Sequence, residues 1–276
     1  YMNAECTSDE VKTDTIVKSI SDHTLYAKWT PRNDIPYTVK HWKEKGQTTP
    51  YLPTGATVTN SDFSTGYTIR DSDGNEYVWI EVPKTETVYP TAGLSITEFT
   101  DSEYTSIEND LHTYTTAYRN GTSSSDVYYS DATTGLTSSE YTALKKKMLK
   151  SVYQNGGFWI GRYEAGIDTN RTSRTEITTE VPKSQANLYP FTYVYCSEGQ
   201  TLAENLKTQL GLSGDKECSL MFGVQWDLVL KHIETKGGAT QAQLKTDSKD
   251  IGNYTDTSYN ITNSSIKYSE DTANWN

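Results

Sequence analysis

The stretch YTIRDSDGNEYVWIEV, residues 67–82, decides how this chain is read. Two runs of alternating β-branched and aromatic residues, Tyr67 to Arg70 and Glu76 to Val82, flank the five residues Asp71 to Asn75. An Asp-Gly step between two such runs is a strong short-range signal for a β-hairpin. The same five residues imitate the start of an EF-hand loop, which needs flanking helices and a Glu at position twelve. Position twelve from Asp71 is Val82, so the hairpin is the reading.

Downstream of the hairpin, residues 84–140 are rich in Thr, Ser and Tyr. They read as a long insertion holding one helix near Asp101–Tyr118. Apolar residues at 141, 144, 148, 149 and 152 then recur at helical spacing, with a Ser as N-cap and lysines on the wet side. Asn155, Gly156 and Gly157 stop that helix. Phe158 to Gly166 follows as a strand, with Gly161 at a bulge or close backbone approach. A further helix is expected over Gln200–Leu210, and another opens at Trp226 and Asp227, with the acid in its first turn complementing the dipole.

Upstream, residues 43–66 are dense in Gly, Pro, Thr and Ser, the composition of a linker. Charge marks a boundary in the same region. Residues 1–69 carry 7 basic and 8 acidic side chains, and residues 70–276 carry 18 and 28. The expected organisation is a β-rich module over 1–45, a linker over 46–66 and an α+β domain over 67–276. Strands are read at residues 11–29 and 37–42 of the first module.

Composition bounds what such a chain does. Of its 276 residues 34% are hydrophobic, yet 21 are Tyr and 6 are Trp, and aromatic-poor disordered chains do not look like this. The net charge is −11, so nucleic-acid binding would need a local basic patch. The one cationic cluster, Lys145, Lys146, Lys147 and Lys150, sits on a single short helical pattern. No apolar run approaches the roughly 18 residues of a membrane span. Neither nucleic acid nor membrane insertion is therefore expected. Three cysteines (Cys6, Cys196 and Cys218) exclude a paired disulfide framework, and the histidines His23, His41, His112 and His232 are too scattered for structural zinc. A nucleophile pair of Cys196 or Cys218 with His232 competes with the commoner reading, buried inert thiols. The chain begins Tyr-Met-Asn, so a signal peptide is expected to be absent or removed.

Two resemblances sharpen these expectations. TLYAKW at 24–29 followed by YTVKHW at 37–42 resembles the end of a Listeria–Bacteroides repeat, a small β-rich module of bacterial surface proteins. DGNEYVWIEV (73–82), GGFWIGRYEAG (156–166) and SLMFGVQWDLVL (219–230), in that order, resemble bacterial relatives of formylglycine-generating enzyme. That family has an elaborated C-type lectin-like α+β fold. Matching positions are Gly157, Ile160, Arg162, Tyr163 and Glu164, then Gly223, Gln225, Trp226 and Asp227. The expected structural core of the larger domain is Trp79, Trp159, Arg162, Tyr163, Glu164, Phe222, Trp226 and Asp227. Arg162 and Glu164, two apart on a strand, share a face and are expected to join an internal polar network. Ala273, Asn274 and Trp275 compress the string that opens the family's calcium-binding stretch, so Asn274 is the one implied metal ligand and a structural calcium ion the one implied cofactor.

The late reactive cysteines of the oxidising members have no counterpart in this sequence, and no nucleophile string, phosphate loop or metal-ligand cluster accompanies Glu164 and Asp227, whose functional alternative is a general acid/base pair. The expected function is thus non-catalytic: a structural, adhesive or ligand-binding protein of a bacterial, Gram-positive cell surface. Its partners would be a protein, a glycan or further copies of itself. Two alternatives share the fold: a fragment of an oxidase of the formylglycine-generating type, completed by residues after 276, and the variable ligand-binding protein of a diversity-generating retroelement.

Overall fold

The structure, a computed structural model, describes residues 50–118, 136–175 and 179–245. The repeat-like module at 1–45 and Asn274 lie outside these residues. The chain divides into two units between Trp42 and Lys43, and all described residues belong to the second. That unit is α+β.

Four strands, β1 (Thr57–Asn60), β2 (Thr68–Arg70), β3 (Glu76–Glu81) and β4 (Gly157–Gly161), form one antiparallel sheet in the order β1-β2-β3-β4. The hairpin expected at 67–82 is β2–β3, with Arg70 opposite Glu76. Its turn is built on Asp71. One carboxylate oxygen accepts from the backbone N–H groups of Asp73 and Asn75, and the other from the Asn75 amide at 2.9 Å. The carboxylate that would begin a calcium loop is spent on closing its own turn. Gly74, at φ 88°, takes the left-handed conformation the turn requires.

Strand β1 corrects the expected linker. Thr57 to Asn60 pair with β2, and Thr59 meets Thr68 through their hydroxyls at 2.8 Å. The Thr/Ser/Gly composition of 50–66 encodes an edge strand and its turn, in which Asn60 Nδ2 donates to the Gly66 carbonyl.

After β3 the described part of the insertion holds α1 (Asp101–Tyr114) with a 3-10 turn (Thr116–Tyr118), and α2 (Ser138–Asn155) leads directly into β4. The N-cap of α2 is Thr137 rather than a Ser. Its hydroxyl accepts from the Glu140 N–H, and Glu140 reaches back to the Thr137 N–H, a reciprocal capping box. Gly156, at φ 71°, ends α2. At Gly157 a Cβ would lie 2.7 Å from the Trp79 ring and closer still to the Ile80 carbonyl, so the β3–β4 pairing admits only glycine there. The two-stranded β5 (Gly166–Ile167) and β6 (Tyr189–Pro190) precede α3 (Cys196–Gln209), α4 (Gly223–Thr235) and the short α5 (Gln241–Lys245).

Burial separates the sheet's two faces. The main core joins Val82, Val88, Tyr89, Ile107, Leu111, Leu149, Val152, Tyr153, Phe222, Val224 and Leu228, with Phe158 of β4 packed against it. Tyr89 and Tyr153 meet edge to face at 5.0 Å, and the Tyr153 hydroxyl ties down the insertion by donating to the Gly93 carbonyl at 2.9 Å. On the other face Trp79 and Trp159, directly opposite each other, pack edge to face at 5.2 Å. Tyr67 and Phe63 extend that layer, and the Trp159 indole N–H donates to the Tyr51 carbonyl at 2.8 Å. Trp79 and Phe222 therefore serve two layers, not the one core expected of them.

Candidate functional site

The side chains that stand out are large, apolar and on the surface where α3 and α4 begin. Between β6 and α3 the chain is held by two arginines. Arg171 donates to the carbonyls of Thr192 (2.9 Å), Tyr193 (3.2 Å) and Thr175 (2.7 Å). Tyr193, so held, adopts φ 57°, a left-handed conformation that is an outlier for a bulky residue and costs of order 1–3 kcal/mol. The residue is 47% exposed. Tyr195, 57% exposed, precedes α3, and its N–H donates to Glu198 Oε2 at 2.9 Å. Arg174 lies over the Tyr195 ring at 4.1 Å and pairs with Glu198 Oε1 at 2.8 Å. A buried carboxylate thus fixes the cation that stacks on an exposed ring.

The segment entering α4 adjoins this ridge. Leu220 packs on the first turn of α3 at Gly199, where a Cβ would come within 3.3 Å of both its δ carbons. Leu220 and its neighbour Met221 are exposed. Phe222 turns inward and precedes α4, with its N–H donating to Gln225 Oε1 at 3.0 Å. Trp226, one turn on, points outward and is 54% exposed. Tyr193, Tyr195, Leu220, Met221 and Trp226 are chemistry for contact: flat faces, a polarizable thioether and little rotamer entropy to lose at the rings.

The expected structural residues fare differently. Trp79, Phe222 and Asp227 are buried, and Trp159 and Tyr163 are half-buried. Trp226 is a correction: at the fourth position of α4 it falls on the face opposite Val224 and Leu228, which occupy the core. Asp227 lies beyond the first turn, where Gln225 rather than an acid serves the N-terminus. Glu164 is a second correction, because it is exposed past the end of β4 and takes no part in the network expected of it. Arg162 does pair, but with Glu76. The Glu76 carboxylate is gripped by Arg70 on one oxygen and by Arg162 on the other at 2.7 Å. Arg70, with Arg162 beside it, holds the Glu76 carboxyl below the usual range, while burial works the other way. The hairpin register, which sets Arg70 opposite Glu76, carried a signal for the Arg70 half of this clamp.

Cys196 and Cys218 both carry thiols and flank the same region. Burial pushes the Cys218 thiol up to about 11, with Lys207 opposing and Glu217 adding to the effect. Glu217 is itself shared by Lys147 and Lys207, each at 2.6 Å. Cys218 is protonated at neutral pH and a poor nucleophile. Among the described residues no group of three His, Cys, Asp or Glu side chains is arranged to hold a metal ion. No helix among them is long and apolar enough to cross a membrane.

No protein-family model, no curated protein and no solved structure matches the chain.

Proposed function

We propose that this chain is a non-catalytic protein of a bacterial cell surface, whose α+β domain is an elaborated C-type lectin-like unit of the formylglycine-generating-enzyme type. It holds a protein or glycan ligand, or further copies of itself, through the surface of Tyr193, Tyr195, Leu220, Met221 and Trp226. The observations that carry this reading are Trp226, a tryptophan in the first turns of α4 that is more than half exposed, and Tyr193, strained and exposed before α3. Exposed aromatic residues of this kind act as anchors when a partner desolvates them. Strain at a bulky residue persists where the surrounding structure over-determines it, as Arg171 does here.

The test compares the wild-type chain with a Tyr195→Ala/Trp226→Ala double variant. Three assays are run: cosedimentation with Gram-positive cell-wall sacculi, a glycan array, and sedimentation velocity for self-association. Binding in at least one of them, weakened at least about tenfold in the double variant at unchanged thermal stability, is the expected result, since aromatic anchors of this kind each carry about 2 kcal/mol or more. Absence of wild-type binding in all three, or equal binding by the variant, overturns the proposal.

A further inference from the structure

The last turns of α4, at the other end from Trp226, bury a histidine against the sheet. His232 is 8% exposed, and its Nδ1 accepts a hydrogen bond of 3.1 Å from the backbone N–H of Glu81 in β3. An imidazole accepts at Nδ1 only while that atom carries no proton, so this bond belongs to the neutral ring protonated on Nε2. Lys236, one turn further along α4, pairs with the Glu81 carboxylate at 2.6 Å. From α1 and the 3-10 turn, Tyr114 and Tyr118 face the same corner. Tyr118 donates to Glu234 Oε2 at 2.6 Å, Lys231 holds that same oxygen at 3.0 Å, and the Lys231 ammonium lies over the Tyr114 ring. Helix α5, which packs on α4, adds a buried Leu244 and an exposed Lys245. Both carboxylates at this corner are already engaged by lysines, and the group facing Nδ1 is a donor.

We propose that His232 is an acid-sensitive latch: protonation at Nδ1 breaks the bond to the Glu81 amide and releases the last turns of α4 from β3. The proposal goes beyond the contact reading and does not rest on it. Burial lowers the affinity of this ring for a proton, Lys236 acts in the same direction, and the Glu81 carboxylate opposes them. With the folded value depressed below 6.5, the latch contributes fully above that pH. Its contribution falls as pH drops from there towards the folded value, because the unfolded chain takes up the proton first. The proton comes from solvent and no other co-reactant is needed.

The test uses the full chain. In a nitrogen-detected NMR titration, His232 is expected as the Nε2–H tautomer at neutral pH, titrating below its ordinary value. Chemical denaturation is compared for wild type and His232→Asn, whose amide oxygen accepts the same N–H without a charge. Below pH 6.5, the wild-type unfolding constant should rise relative to that of the variant, approaching about tenfold per pH unit for one linked proton. An Nδ1–H tautomer, titration at or above the ordinary value, or the same pH dependence in both proteins would overturn the latch. The wild-type titration decides the matter alone if His232→Asn does not fold.

Discussion

At the scale of single residues, what matters is how each polar group is engaged. Asp71 spends both carboxylate oxygens on its own turn, and the phenol of Tyr77 lies 3.4 Å from one of them. Asp71→Ala removes these charge-assisted bonds and leaves buried donors unmet, so a loss of about 2–4 kcal/mol in urea denaturation is expected. Cys218 gives a second residue-scale expectation. With its thiol pushed up to about 11, alkylation at neutral pH should be far slower in the folded chain than in the unfolded one, as read by mass spectrometry. Equal rates would place the thiol in a different setting. Asp71 and Asn75 could be read as a hairpin turn from the string DSDGN. The two-arginine grip on Glu76 could not, because half of it comes from Arg162, which only the β3–β4 pairing brings near.

At the scale of elements, the sequence was most informative where a period or a turn acts locally. The β2–β3 hairpin and α2 follow from alternation, helical spacing and stop residues close in the chain. The lysine run of α2 shows where local reading stops. Read alone it is a solvated face. In the fold Lys145 meets Glu108 of α1 at 3.0 Å, Lys146 meets Asp101 and Lys147 meets Glu217, so one cationic stripe ties α2 to two other segments. Those acids lie between 37 and 70 residues away in sequence, beyond any periodicity. Strand β1 was hidden for a related reason: an edge strand of Thr, Val and Asn needs no apolar alternation and resembles a linker. The tightest joint between elements is Gly157. Gly157→Ala forces a methyl group into the Trp79 ring and the Ile80 carbonyl, and should cost about 1–3 kcal/mol or more as the β3–β4 pairing shifts. Thermal unfolding of that variant checks the joint, and an unchanged midpoint would place the two strands further apart.

At the scale of the whole molecule, acid should unfold the domain through its clamped carboxylates. Glu76, Glu108 and Glu217 are all held below their ordinary value of 4.5. Each therefore adds stability that is present above pH 4.5 and lost as pH falls through the depressed folded value. Glu76→Gln should flatten the dependence of the denaturation midpoint in that acid range, and a variant as acid-sensitive as the wild type would remove Glu76 from the account. The larger division is between what the fold hides and what it presents. Phe222 and Trp226 lie one helical turn apart, and both are expected in the core from the sequence. Phe222 is in the main core with Val224 and Leu228, whereas Trp226, like Tyr193, Tyr195, Leu220 and Met221, is exposed. The most direct measurement is paired urea denaturation of Phe222→Ala and Trp226→Ala. Phe222→Ala should lose about 3–5 kcal/mol, as deletion of a buried aromatic does, and Trp226→Ala should stay within about 1 kcal/mol of wild type. A Trp226→Ala loss as large as that of Phe222→Ala would place Trp226 in the core and contradict the contact surface.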